Sequence, residues 1–242
     1  MPCLTERKQQ TRKRSSEVNV DIYTKRLGIN RSYIIKSEGC IMIDTGPVRS
    51  AKAIRNWIKT IPIDPDEIRL ILLSHAHGDH VGAARDVKEF TGAQIAIHEQ
   101  DREYLEKSIT LWPSALNTWG HIARIIMKPI KPILRFPATH ADIVIEGDDF
   151  SLAEYGIPGH VVHTPGHTLG SVSVLLKTGD AFVGCLAHNN LPFRLRPGWP
   201  IFGEDKNKLQ ASWKRLLDLG AVRIHPGHGN PFSAEVIRQL LS

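Results

Sequence analysis

Cysteine is scarce in this chain. Cys3, Cys40 and Cys185 are the only three in 242 residues, too few and too scattered for a disulfide framework. A reducing compartment, the cytoplasm, is expected. Nor does any stretch reach the roughly 18 to 20 consecutive apolar residues of a membrane span. The basic segment from Glu6 to Arg14 runs into polar Ser15-Ser16-Glu17, so a signal peptide is not expected either. No Gly-x-Ser-x-Gly elbow occurs, which leaves covalent serine catalysis without support. There is no interdomain linker and no solenoid period. The 41% hydrophobic content is enough for one full core without staples.

Positive charge is unevenly placed. Residues 1 to 14 carry five Lys/Arg and one Glu, which is +4 of the formal +6 and leaves about +2 for the rest. Residues 1–17 therefore read as a solvated basic arm, and residues 18–242 as one nearly neutral domain. A nucleic-acid partner would need a basic groove on that body, and the charge balance speaks against one. A small-molecule substrate fits better.

What the chain does have is histidine in a cluster. His75-Ala76-His77-Gly78-Asp79-His80 follows the apolar run Leu70-Ile71-Leu72-Leu73. Imidazole and carboxylate suit a borderline divalent ion such as zinc, whose catalytic sites take three protein ligands and keep one position open. On an extended or tightly turned backbone every second side chain converges, so two or three of His75, His77 and Asp79 can face one ion. Four ligand-type groups in six positions exceed what one ion readily accepts, and two ions would use them all. The alternative is a polar loop with adjacent histidines, but further segments of the same character weaken it.

Those segments are His163-Thr164-Pro165-Gly166-His167-Thr168 and His225-Pro226-Gly227-His228-Gly229. Proline fixes φ and glycine permits positive φ, so each Pro-Gly reads as a tight turn that holds one imidazole at a set angle. Between them Thr178-Gly179-Asp180-Ala181-Phe182-Val183-Gly184-Cys185 reads as a short strand delivering a thiol, another good zinc ligand.

In motif and in order, these segments resemble the metallo-β-lactamase superfamily of metal-dependent hydrolases, over most of the chain. The resemblance rests on the His-x-His-x-Asp-His signature at 75–80, the Pro-Gly-His turns carrying His167 and His228, and the early Ile43-Asp44-Thr45-Gly46. It implies an α/β fold, a four-layer αββα sandwich with the metals at one edge between two sheets. It also implies a first site of His75, His77 and His167, and a second of Asp79, His80 and His228. Asp44 would support the ligands from behind, and Asp79 would orient the attacking water. Two zinc ions are implied, or one, with iron or manganese as alternatives. Cys185 stands where the family usually has a bridging aspartate. A thiolate generally would sit on the second ion alone; the other possibility is a small buried residue beside an incomplete second site.

Strands are predicted over Val18–Gly28, Tyr33–Lys36, Cys40–Ile43, Gln94–His98, Ile143–Ile145, Val161–Val162, Ser171–Leu176, Phe182–Val183 and Val222–Ile224. Helices are predicted over Ser50–Thr60, Val81–Phe90, Glu99–Lys107, Asp205–Leu219 and from Ser233. Lys107 to Ala141 has no acidic residue and reads as a helical insert near 107–140 with an apolar, cationic face. It is expected to act as a substrate lid using Trp112 or Trp119, with core packing or a homodimer contact as alternatives. Prolines interrupt it too often for a long membrane-surface helix. Arg194 and Arg196 could meet a substrate carboxylate or phosphate, or be ordinary surface charge.

The function expected is zinc-dependent hydrolysis in which a metal-bound hydroxide attacks a carbonyl substrate, namely a thioester, lactone or β-lactam. Phosphodiester cleavage is one alternative. The other is a non-haem iron oxidoreductase, such as a sulfur dioxygenase, on the same scaffold.

Overall fold

The computed structural model describes residues 19–112, 114–129, 135–189 and 196–242. The basic arm at 1–17, Cys3 and Arg194 lie outside the described residues.

Six strands form the first sheet, side by side in chain order: β1 (Asp21–Leu27), β2 (Asn30–Lys36), β3 (Cys40–Ile43), β4 (Ile68–Leu72), β5 (Gln94–His98) and β6 (Ile143–Ile145). The first three are antiparallel and the later pairs parallel. β2 to β5 are buried on both faces, which is why their sequences read as near-continuous apolar runs. Alternate residues nevertheless enter different layers. Helices α1 (Ala51–Ile58), α2 (Gly78–Val81), α3 (Ala84–Thr91) and α4 (Glu99–Glu106) follow one another between the strands. Ile34, Met42, Ile71 and Ile95 pack on Ile54 and Trp57 of α1, Val87 of α3 and Leu105 of α4.

The intervening residues point the other way, toward a second sheet. Its strands are β7 (Asp149–Ser151), β8 (Gly159–His163), β9 (Val172–Leu176), β10 (Asp180–Phe182), β11 (Arg223–His225) and β12 (Phe232–Ser233), ordered β12-β11-β10-β9-β8-β7. Tyr33, Ile35, Ile41, Ile43, Leu70 and Leu72 of the first sheet meet Val161, Val172, Val174, Leu176 and Phe182 of the second. Beyond it, Ala181, Val183 and Ile224 pack on Leu209, Trp213 and Leu216 of α6 (Lys206–Asp218) and Ile237 of α7 (Glu235–Leu241). Three apolar interfaces require four layers, and the expected αββα sandwich is the result.

The insert contains α5 (Thr118–Met127), whose N-cap Asn117 accepts a hydrogen bond from the Gly120 amide, as short polar side chains do at helix starts. Gly120 and Ala123 face inward, while Trp119, Ile125 and Ile126 are 57%, 73% and 61% exposed. Just ahead of α5, Leu116 N–H donates to the Ile201 carbonyl at 3.1 Å and Gly203 N–H to the Ser114 carbonyl at 2.9 Å. Ala115 and Phe202 form an antiparallel bridge between them. Among the described residues no helix is long and apolar enough to cross a membrane.

Candidate metal centre

Loops at one edge of the two sheets bring the histidines together. His75 and His77 leave the end of β4, His167 lies between β8 and β9, Cys185 follows β10, and His228 follows β11. His77 is the N-cap of α2, and Asp79 and His80 sit on that helix. The alternation expected from 75 to 79 therefore stops at His77. The helical turn redirects Asp79 away from the His75 and His77 rings and toward His228.

Two histidine-rich groups result. In the first, His75, His77 and His167 have ring centroids 4.7–4.8 Å apart, and His167 Nε2 faces His77 Nδ1 at 2.9 Å. In the second, His80 Nε2 faces His228 Nε2 at 3.2 Å, and Asp79 Oδ2 is 3.4 Å from His228 Nε2. The ligand atoms within each group lie within 4.8 Å of one another. Cys185 Sγ approaches His80 Nε2 at 3.2 Å and groups with both His75 and His80. The thiol thus stands beside a member of each histidine set.

Supporting contacts choose which ring nitrogen faces inward. His167 Nδ1–H donates to the Phe202 carbonyl at 3.0 Å, His228 Nδ1–H to the Ile29 carbonyl at 3.2 Å, and His80 Nδ1–H to Asp44 Oδ2 at 2.7 Å. Each turns Nε2 inward, where its lone pair is free once the ring is neutral, the arrangement that carbonyls and carboxylates impose on metal-binding histidines. Asp44 also accepts from the Ser74 amide and hydroxyl, and the Ser74 oxygen in turn accepts from His75 Nδ1. Among the described residues His75 Nε2 is then buried with no hydrogen-bond partner. An orphaned buried nitrogen normally signals something the protein is built to hold. The spacing agrees, since ligand atoms about 2.0–2.1 Å from one tetrahedral ion lie roughly 3.3 Å apart. Asp44 occupies φ 56°, a left-handed conformation that Asp tolerates better than most residues and that concentrates at functional sites.

Electrostatics sort the groups by charge. Burial holds the His75 imidazole neutral, pushing its pKa down to about 4, and holds His77 well below its ordinary value. Burial also disfavours charge on His80 and His228. There, however, the Cys185 thiolate and the Asp79 carboxylate outweigh it, joined at His80 by Asp44, raising His80 well above its usual range and His228 to about 10. Burial pushes the Cys185 thiol up, but the surrounding imidazoles overcome it and hold it well below its ordinary value. Asp79 follows the same balance, with His80 and His228 outweighing burial. These are the ionisations a divalent cation would exploit by displacing the imidazole protons.

Of the two Pro-Gly turns, only the first uses glycine for its φ, with Gly166 at 131°. Gly227 is not among the positive-φ glycines; a Cβ there would sit 2.6 Å from His80 Cε1. Its small size, rather than its backbone freedom, keeps His80 in place.

Sequence reasoning missed three residues. Asp101, buried in the first turn of α4, accepts from the Ala76 amide at 2.8 Å, the Thr168 hydroxyl at 2.9 Å and the Gly170 amide at 3.0 Å. It ties the His75–His80 loop to the His167 loop. Buried Asn30 donates to Asp79 Oδ2 at 3.0 Å. His188 groups with Cys185 and His228. None stands in a motif; the one available signal for Asp101 is an acid in the first turn of a helix leaving a strand end, which also suits an ordinary charged helix. Of the expected substrate contacts, Trp112 is half-buried, and Trp119 and Arg196 are exposed.

Comparisons with known proteins agree with this architecture. The profile of the metallo-beta-lactamase superfamily matches residues 26–228. A probable metallo-hydrolase of Bacillus subtilis, YqgX, is 30% identical over 155 residues, covering 64% of this chain and 63% of its own length. This chain thus spans less than two thirds of that relative. The structure of TTHA1623 in a di-iron-bound form shares 25% identity with a TM-score of 0.65, covering 90% of this chain and 97% of that one. The BLEG-1 B3 metallo-beta-lactamase is similar in fold, with TM-score 0.68, 21% identity, and 93% and 100% coverage. By profile, fold and clustered ligands, the chain belongs to the metallo-β-lactamase superfamily.

Proposed function

We propose that this protein is a zinc-dependent hydrolase of small carbonyl substrates, a thioester, lactone or β-lactam, working in the cytoplasm with two ions at the paired histidine sets. The observation that carries the reading is the buried convergence of His75, His77 and His167 beside Asp79, His80, Cys185 and His228, with His75 Nε2 left unpartnered. When bound, the ions would supply Lewis acidity and lower the pKa of a coordinated water toward neutrality. Around them, His75, His77 and His167 hold one set of lone pairs fixed, and Asp44 does the same for His80. Asp79, its side chain 33% exposed, is the carboxylate open to the solvent side and orients the attacking water. Asn30 steadies Asp79 Oδ2 for that role.

The insert supports an acyl or aromatic substrate. Residues 114–116 are paired to 201–203, and the Phe202 carbonyl in that pairing fixes His167. A lid anchored there would cover the metal edge with α5, while exposed Ile125 and Ile126 would serve equally in a homodimer contact. A cytoplasmic site would keep buried, unpaired Cys40 and Cys185 reduced.

The test is metal quantitation on protein purified without added metal, then assays with chromogenic lactam, lactone, thioester and bis-nitrophenyl phosphate substrates. Two zinc ions per chain and carbonyl hydrolysis are expected. Substituting His75 and His77 together by Ala should abolish both metal retention and turnover; metal retained at normal stoichiometry would place the site elsewhere. The di-iron-bound neighbour favours one second reading, an iron oxidoreductase. Iron in place of zinc, with substrate-dependent oxygen uptake, would select it.

A further inference from the structure

His188 lies three residues beyond Cys185. It is 3% exposed, and neither ring nitrogen has a hydrogen-bond partner among the described residues. A buried imidazole with both nitrogens unsatisfied is rare and calls for a ligand. Its backbone is held on two sides. His188 N–H donates to the Gly198 carbonyl at 3.1 Å and the Gly198 amide returns a bond at 3.0 Å, while Asn189 N–H donates to the His228 carbonyl at 3.1 Å. These pairings place the His188 ring 5.0 Å from that of His228 and 6.4 Å from that of His167. Ligand atoms of Cys185, His188 and His228 lie within 4.8 Å of one another.

We propose that His188 is a ligand of the second ion, completing with Cys185 and His228 a set of two imidazoles and one thiolate. The proposal rests on the metal-centre reading above and deepens it. Position 185 offers a thiolate where a bridging carboxylate would be expected, so the second ion is drawn toward the sulfur side of the cluster. His188 adds a further imidazole there, on the side of the sulfur shared by His80 and His228. Such a set suits zinc and cobalt and discriminates against hard ions such as magnesium and manganese.

Chelated wild-type protein, His188→Ala and His188→Gln would be titrated with zinc and with cobalt(II), reading stoichiometry, affinity and the thiolate-to-cobalt absorption band. Both variants should bind the first ion as tightly as the wild type and the second at least about 100-fold more weakly, since losing a residue that merely supports a ligand already costs about 10- to 100-fold. The sulfur-to-cobalt band should change in both. Unaltered second-ion affinity and spectrum would overturn the proposal, as would a wild type and variants that all hold one ion equally well. A wild type that takes up no ion would instead refute the metal centre itself. Long-range 1H–15N spectra of the wild type need no variant: a His188 nitrogen should shift with the second equivalent of zinc, and unmoved His188 resonances would overturn the assignment.

Discussion

Asp101→Asn isolates the contribution of the carboxylate that ties the two ligand loops. In the native protein Asp101 Oδ2 accepts two bonds, from Ala76 and Thr168, and Oδ1 accepts one from Gly170. Asparagine keeps one oxygen. Placed at the Oδ2 position, it retains the first two bonds at the strength of neutral ones, roughly half that of charge-assisted bonds. Its amide then faces the Gly170 N–H, donor against donor, leaving a buried amide unsatisfied at about 1–3 kcal/mol. Relief of the buried charge offsets part of this, since burial already pushes the Asp101 pKa up. A net loss of about 2–3 kcal/mol follows. For a chain of this length that lowers Tm by roughly 4–12 °C. The substitution should also loosen His75 and His77 relative to His167, weakening first-ion binding about 10- to 100-fold. Thermal unfolding of the chelated protein reads the first effect, and competition with a chromophoric chelator reads the second. A variant with native Tm and native metal affinity would refute the reasoning that Asp101 positions the ligand loops.

Gly227→Ala should lose about 1–3 kcal/mol by overpacking, because the new Cβ would meet His80 Cε1 at 2.6 Å; second-ion affinity should fall while the first ion stays, and equal loss of both would point to general unfolding. Cys185→Ser should reduce metal occupancy from two ions toward one, as measured by elemental analysis. In metal-free protein, iodoacetamide should label Cys185 before Cys40, whose thiol burial pushes up to about 12. Zinc should protect Cys185, and peptide mapping that finds Cys40 labelled first would contradict this. Stability of the chelated protein should peak near the ordinary imidazole value of about 6.5. Below it, the unfolded chain binds protons that His75 and His188, pushed down to about 4, refuse, at about 3 kcal/mol for each full shift. Above it, the stability contributed by His80 and by His228, raised to about 10, is lost as pH rises toward that value, offset in part by Cys185, whose lowered thiol gains stability up to its ordinary range. Urea unfolding at pH 5, 6.5 and 9 checks the shape, and a monotonic profile would refute it.

Most strands could be read because both sheets have buried faces, so the central strands announce themselves as short apolar runs, while the short edge strands β7 and β12 do not. The two Pro-Gly-His turns were legible for a similar reason, since proline and glycine act on their own backbone. Asp101 and Asn30 were not. Asp101 looks like any acid in the first turn of a helix, and its work depends on Gly170, 69 residues away. Asn30 begins a strand, and its partner Asp79 lies 49 residues further on.

The residue types and their local spacing decided by themselves that several metal-ligating side chains sit at strand ends, because ligand chemistry and turn chemistry are properties of short segments. Which nitrogen each histidine presents, and which donors share one space, depended on the packing of two sheets. That packing sets Asp44 against His80, Phe202 against His167, and Ile29 against His228. It also buries His188 beside Cys185. No segment of the sequence contains those distances, because they exist only where segments far apart in the chain are brought to a common edge.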